Sequence, residues 1–179
     1  MWKEIVERSE VRLQAFGRVC HLVVDNRDGR GTELLHLCQD EIRRLENKFS
    51  SYLPDSITSR INQGAGTGVY VPLDAEARSL FYYIDALWQE SKHIFAPTTR
   101  ILQDCYSNAG SLLASPDQLQ DMLKLVGWRN LEITDRGAQM SGKGMLIDLN
   151  SCIRPYVLDS ARKLLLENEV KNAYLEMDQ

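Results

Sequence analysis

Ile147-Asp148-Leu149-Asn150-Ser151-Cys152-Ile153-Arg154-Pro155-Tyr156-Val157-Leu158-Asp159 is the stretch on which the reading of this chain turns. A strand-like run, Met145 to Leu149, meets a break and then a helical pattern from Tyr156 to Asn168. A strand feeding a helix is a common ligand position, because the first helical N–H groups have no partner and attract anions. Asn150-Ser151 stands where a tight phosphate turn wants glycine. Pro155 stands where a backbone N–H would be offered, and proline has none. The stretch has the frame of a ligand site with its open positions filled.

Working outward, the chain is long enough for one domain, residues 1–179, with a real core. Its 44% hydrophobic and 26% charged residues match an ordinary globular protein. A formal charge of −4 with scattered Lys and Arg argues against nucleic acid, which needs a basic face. No run of apolar residues is long enough for a membrane span. The first eight residues, Met1 to Arg8, are charged and lack an apolar core, which speaks against a secretory signal. Cys20, Cys38, Cys105 and Cys152 lie far apart with no C-x-x-C, as expected of free thiols in a cytoplasmic protein.

Residues 11 to 24 read as one or two strands bent near Gly17. Asp25 to Gly31 is a turn-rich loop, and Thr32 can cap a helix with Leu34, Leu35, Cys38, Ile42, Leu45 and Phe49 on one face. Gln63 to Gly68 is a flexible glycine loop without a phosphate motif. Val69 to Val71 reads as a short strand closed by Pro72. Asp74 can cap a second long helix ending near Ser91. Lys92 to Thr99 is a loop, followed by a short helical run, Arg100 to Tyr106. Ser115-Pro116-Asp117-Gln118 has the form of a capping box. It starts a helix with Leu119, Met122, Leu123 and Val126 as its buried stripe and Gly127 as its end. Leu131 to Thr134 and Ala138 to Ser141 flank a hairpin turn, and Ala173 to Met177 is a last strand. The order lacks a strict βαβ rhythm and indicates α+β.

His21, His36 and His93 are too scattered for a metal site. Asp148 and Asp159 bracket the focal stretch. Paired carboxylates could hold a cation or serve as acid and base; alternatively Asp148 closes a turn and Asp159 pairs with a nearby Arg.

Four segments, in order, resemble the ApbE proteins, the FAD:protein FMN transferases. Ala15-Phe16-Gly17 before a strand resembles the family's opening MGT strand. Glu41 to Ser56 followed by Ser59-Arg60-Ile61-Asn62 resembles its helix and FS-Y-PDS…S-LN segment. Glu90 to Thr98 resembles its SGGAFDPT loop. Asp148 to Asp159 aligns without a gap to its DLGGIAKGYAVD. The resemblance covers nearly all of this chain and about the N-terminal half to two-thirds of the family's length. It implies an α+β, ApbE-like (T-fold-related) mixed sheet with flanking helices, lacking the family's C-terminal part. It also implies FAD or FMN near Tyr52, Asn62, Pro97, Thr98, Asp148, Arg154 and Asp159.

The departures from the family pattern are systematic. Lys92-His93 and Asn150-Ser151 replace glycine pairs, Ala96 replaces Asp, Arg154 replaces Lys, and Pro155 replaces Gly. The magnesium-binding and catalytic residues of the family lie past the region matched here, so magnesium is not expected within this chain alone. The resemblance therefore implies a degenerate relative that is non-catalytic alone and binds a protein partner or ligand, as a homo-oligomer or with another protein. The alternative is a flavin-binding protein, or one part of a split or oligomeric magnesium-dependent transferase that flavinylates a Ser or Thr of a target.

Overall fold

The computed structural model describes residues 7–178. The charged segment before them, residues 1–6, lies outside the described residues. The chain groups into two compact units: Met1–Ser50 with Cys152–Gln179, and Ser51–Ser151. The boundary at 151 falls inside the focal stretch.

The first unit is a three-stranded sheet backed by two helices. β1 (Arg8–Ala15) and β2 (Arg18–Asp25) form a hairpin, and β5 (Ala173–Met177) adds to the other side of β2. The hairpin turns at Phe16 and Gly17, both at positive φ (53° and 71°). A turn of that kind matches strand twist but strains a non-glycine residue. Phe16 is held there by burial and by its N–H, which donates to Glu46 Oε1 at 2.5 Å.

Register sets what the sheet buries. β1 pairs with β2 at Leu13↔Cys20, and β2 with β5 at Leu22↔Leu175. Leu13, Ala15, Cys20, Leu22 and Val24 form the buried side. α1 (Gly31–Phe49) covers them with the expected stripe, all six residues from Leu34 to Phe49 buried. Each such side chain contributes about 1.5–3 kcal/mol on leaving water. Thr32 does not cap α1. Arg30 occupies the cap position without a side-chain capping bond, and Asn26 Oδ1 accepts from the Gly31 N–H at 2.6 Å. α5 (Ile153–Glu167) buries Ile153, Val157, Ala161 and Leu165. It begins three residues before the expected Tyr156, so Pro155 falls in its first turn, where the missing N–H would have had no intrahelical partner.

The second unit is built around α2 (Ile57–Gln63), α3 (Ala75–Glu90), α4 (Pro116–Lys124) and the hairpin of β3 (Leu131–Thr134) and β4 (Gly137–Met140). Asp74 caps α3 through Ala77 N–H at 2.8 Å. α3 buries Phe81, whose ring stacks on Trp128 with centroids 6.3 Å apart. The expected strand Val69–Val71 reduces to one bridge, Val71 to Ala138. Gly137 sits under it at φ 128°, where a Cβ would lie 2.0 Å from the Val71 carbonyl oxygen. The Ser115 capping box forms as read. The stripe behind it does not bury: α4 has no buried residue, and Leu123 is 42% exposed. The helix stops at Lys124, before Gly127, whose φ of 167° is extended.

The α+β class holds. In place of one mixed sheet, the described residues form two small sheets, each antiparallel. Met145 to Leu149 is not a strand: residues 145–148 have no regular structure, Leu149 opens a 3-10 turn (Leu149–Ser151), and the Asn62 side chain takes over the role of a neighbouring strand. Among the described residues no helix is long and apolar enough to cross a membrane.

Candidate functional site

Five of the seven expected site residues (Tyr52, Asn62, Pro97, Thr98 and Asp148) belong to the second unit. Arg154 and Asp159 belong to the first, on α5.

The second unit's cluster begins with serines. Ser56 caps α2 by accepting from the Ser59 N–H at 3.0 Å. The Ser59 hydroxyl donates to the Ser51 carbonyl at 3.1 Å. The Ser51 hydroxyl in turn donates to Asp148 Oδ1 at 3.2 Å. The serine-rich run from 50 to 59 is thus a relay that fixes the loop before α2 against Asp148.

Asn62 stands one turn further on. Its Nδ2 donates to the Ile147 carbonyl at 2.9 Å, and its Oδ1 accepts from the Ile147 N–H at 2.8 Å. One amide satisfies both backbone groups of a residue that is 1% exposed. Residues 145–149 need no flanking strand at that point, since buried backbone groups are satisfied by side chains as well as by ladders.

Asp148 is held from four directions. Its N–H donates to the Pro97 carbonyl at 2.8 Å. Its carboxylate accepts from Ser51 and from the Asn150 N–H at 3.0 Å, which closes a turn. Arg100 Nε lies 3.3 Å from Oδ2. Asp148 therefore takes the turn-closing role. Neither Ser51 nor Arg100 was expected as a partner; Ser51 stands within the serine-rich segment, but nothing in sequence spacing marks Arg100.

Thr98 is fully buried, and its hydroxyl accepts from the Gly127 N–H at 3.0 Å. Tyr52 differs from these. Its ring is 58% exposed, its hydroxyl accepts from Asn150 Nδ2 at 3.2 Å, and the Arg100 guanidinium lies 6.0 Å from its ring centre. An exposed aromatic face with a cation beside it can take a planar ring.

The loop after α3 keeps a glycine-like backbone without glycine. Lys92 and His93 have φ of 54° and 71°. Their N–H groups close the helix end on the Gln89 and Trp88 carbonyls at 3.0 and 2.9 Å. Two side chains in the left-handed region cost about 1–2 kcal/mol each. The His93 ring stacks on Trp88 at 3.8 Å between centroids, with Arg129 5.2 Å from the same indole, and this offsets part of the cost.

In the first unit, Arg154 Nη1 donates to the Asp178 carbonyl at 2.9 Å, and Asp159 is exposed on α5. Among the described residues no three or more His, Cys, Asp or Glu side chains are grouped to hold a metal ion. Asn62, Thr98 and Asp148 direct polar atoms at neighbours in the same unit, while Tyr52 and Asp159 are exposed.

The likeness suggested by the four segments was tested by comparison with known proteins. The ApbE family model matches residues 16–178. The fold is similar to the ApbE protein from Thermotoga maritima at TM-score 0.81 and 23% identity, covering 96% of this chain and 57% of that one. It is similar to the flavin transferase ApbE from Vibrio cholerae at TM-score 0.83 and 15% identity, covering 95% and 57%. The flavinyl transferase ApbE of Pseudomonas stutzeri, in its apo form, gives TM-score 0.80 at 19% identity, covering 95% and 55%. This chain thus spans less than two thirds of the length of these structures. Among curated proteins none matches the sequence. With the family's pattern running from the β1–β2 turn to the end of β5, the chain belongs to the ApbE family.

Proposed function

We propose that this chain is an ApbE scaffold that does not transfer FMN by itself and works by binding a protein partner or ligand. The observation that carries the reading is the commitment of Asp148 and Asn62. Their polar atoms hold residues 97, 100, 147 and 150 in place, so the loops keep their shape without a ligand. Phosphoryl-type transfer needs a metal to neutralise developing charge, and the described residues offer no carboxylate set for one. The test is incubation with FAD, magnesium and a Ser/Thr-containing acceptor protein, followed by intact mass. No covalent flavin on the acceptor supports the proposal; stoichiometric labelling by this chain alone overturns it.

A second reading is retained flavin binding without transfer, or one part of a split transferase. The exposed Tyr52 ring with Arg100 beside it favours this reading, because it suits a stacked planar ring. A purified protein that carries flavin, lost on Tyr52→Ala, would establish it.

A further inference from the structure

Asp25 to Gly31, the loop between β2 and α1, holds the chain's one Asp-Gly pair, Asp28-Gly29, and the chain has no Asn-Gly. Such a pair carries its own covalent chemistry. The Gly29 amide nitrogen can attack the carboxyl carbon of the Asp28 side chain, since glycine has no side chain in the way. An N–C bond forms, the amide proton and the carboxyl hydroxyl leave as water, and a succinimide ring closes. Water then adds to one of the two ring carbonyls. Opening at the side-chain carbonyl restores aspartate. Opening at the backbone carbonyl leaves isoaspartate, with the main chain routed through the side-chain carbons. Water is the only co-reactant, and nothing is oxidised or reduced.

The fold decides the rate by how it holds those atoms. Nothing crowds the ring: Asp28 and Gly29 are exposed, and apart from chain neighbours no atom lies within 4 Å of where a Gly29 Cβ would stand. The remaining contacts hold the reaction back. The Asp28 carboxylate accepts from the Arg30 N–H at Oδ1, 3.1 Å, and from Arg30 Nε at Oδ2, 2.9 Å. Both oxygens are occupied, and these bonds hold the carboxyl below its ordinary range, away from the protonated form that loses water. The Gly29 N–H is engaged as well, donating to the Asn26 carbonyl at 3.0 Å. Arg30 is itself anchored, because Nη2 donates to the Asn168 carbonyl at the end of α5 at 3.2 Å. We propose that Asp28-Gly29 is a site of spontaneous isoaspartate formation that the Arg30 side chain holds shut. The loop is then a slow modification point at the entrance to α1. The product lengthens the backbone by one carbon and moves the carboxylate onto the Cα, so the bonds from Arg30 cannot re-form as they stood. The ion pair is exposed, and salt should loosen its hold. This inference is independent of whether flavin binds.

The test is to age the full chain in neutral buffer at body temperature. Isoaspartate is read by methyl transfer from S-adenosylmethionine with a protein isoaspartyl methyltransferase. Peptide mapping then locates it, since the product peptide keeps its mass and shifts its retention time. Arg30→Gln removes the charge and the Nε donor and should raise isoaspartate at position 28 several-fold over the unsubstituted chain. High salt should speed the unsubstituted chain and leave Arg30→Gln unchanged. Asp28→Glu, whose longer side chain does not readily close the ring, should abolish the signal in that peptide. The unsubstituted chain unfolded in guanidinium chloride, with every restraint gone, should form isoaspartate at position 28 faster than the folded chain. Equal rates for the unsubstituted chain and folded Arg30→Gln, an equal salt effect on both, or equal rates for the folded and unfolded unsubstituted chain overturn the inference. The last comparison needs no variant, so it holds even if a substitution prevents folding.

Discussion

Replacing Asn62 with Ala tests whether that amide is architecture or ligand chemistry. The substitution removes two hydrogen bonds, to the carbonyl and the N–H of Ile147, at 2.9 and 2.8 Å. Ile147 is 1% exposed, so water cannot replace them without opening the segment. Leaving a buried backbone group unsatisfied costs about 1–3 kcal/mol, so two such groups give a loss of roughly 2–6 kcal/mol. For a chain of this size each kcal/mol moves the melting temperature by about 2–4 °C, so the midpoint should fall by roughly 4–24 °C. The assay is urea unfolding followed by tryptophan fluorescence, with thermal melting by circular dichroism alongside. Asn62→Asp should also destabilise: Oδ1 still accepts from the Ile147 N–H, but a carboxylate oxygen then faces the Ile147 carbonyl. A loss below about 0.5 kcal/mol for Asn62→Ala would show that residues 145–149 are held by something else. The architectural role given to Asn62 would then be refuted.

Other consequences follow from the same geometry. Lys92→Gly relieves a left-handed side chain at φ 54° and should raise stability by about 0.5 kcal/mol, net of the extra freedom glycine has when unfolded, as seen in a melt. His93→Gly also gives up the stack on Trp88, worth about 0.5–1.5 kcal/mol, and should be neutral or destabilising. Burial pushes the thiols of Cys20 and Cys38 up to about 11, so both should resist a thiol reagent at pH 8 until the protein is unfolded. The Arg27 side chain, bonded to Asp25, holds that carboxyl down from 3.8 to about 2. Its contribution to stability is present above pH 4 and is lost as the pH falls toward 2. Asp25→Asn should remove that part of the acid dependence, and salt should weaken it because the pair is exposed.

Periodicity and punctuation made much of the fold legible. The α1 stripe, the Asp74 cap, the Ser115 capping box and the turn at Gly17 each rest on a local rule that tertiary packing did not override. Where neighbours decide, reading failed. Met145 to Leu149 has strand-like residues but no strand beside it, because Asn62, 85 positions away, supplies the partner groups. The α4 stripe has helical spacing, yet it packs mainly on the 3-10 segment Thr99–Cys105, which leaves Leu119, Met122 and Val126 half-buried and Leu123 exposed. Pro155 looked like a lost donor, and it is harmless because α5 starts earlier than its apolar pattern indicates. At the candidate site the residue types were legible, but the directions of their polar atoms were not. Arg100 reaches Asp148 from a 3-10 segment, Thr99–Cys105, whose sequence carries no such signal.

Calorimetric titration of the purified chain with FAD, FMN and ADP, with and without magnesium, bears most directly on the role of these loops. With the polar atoms of Asn62, Thr98 and Asp148 committed within the chain, no micromolar binding of any of the three is expected, and magnesium should make no difference. Magnesium-dependent micromolar binding of FAD, abolished by Asp148→Asn in a variant that remains folded, would contradict the account and place a working nucleotide site on these loops.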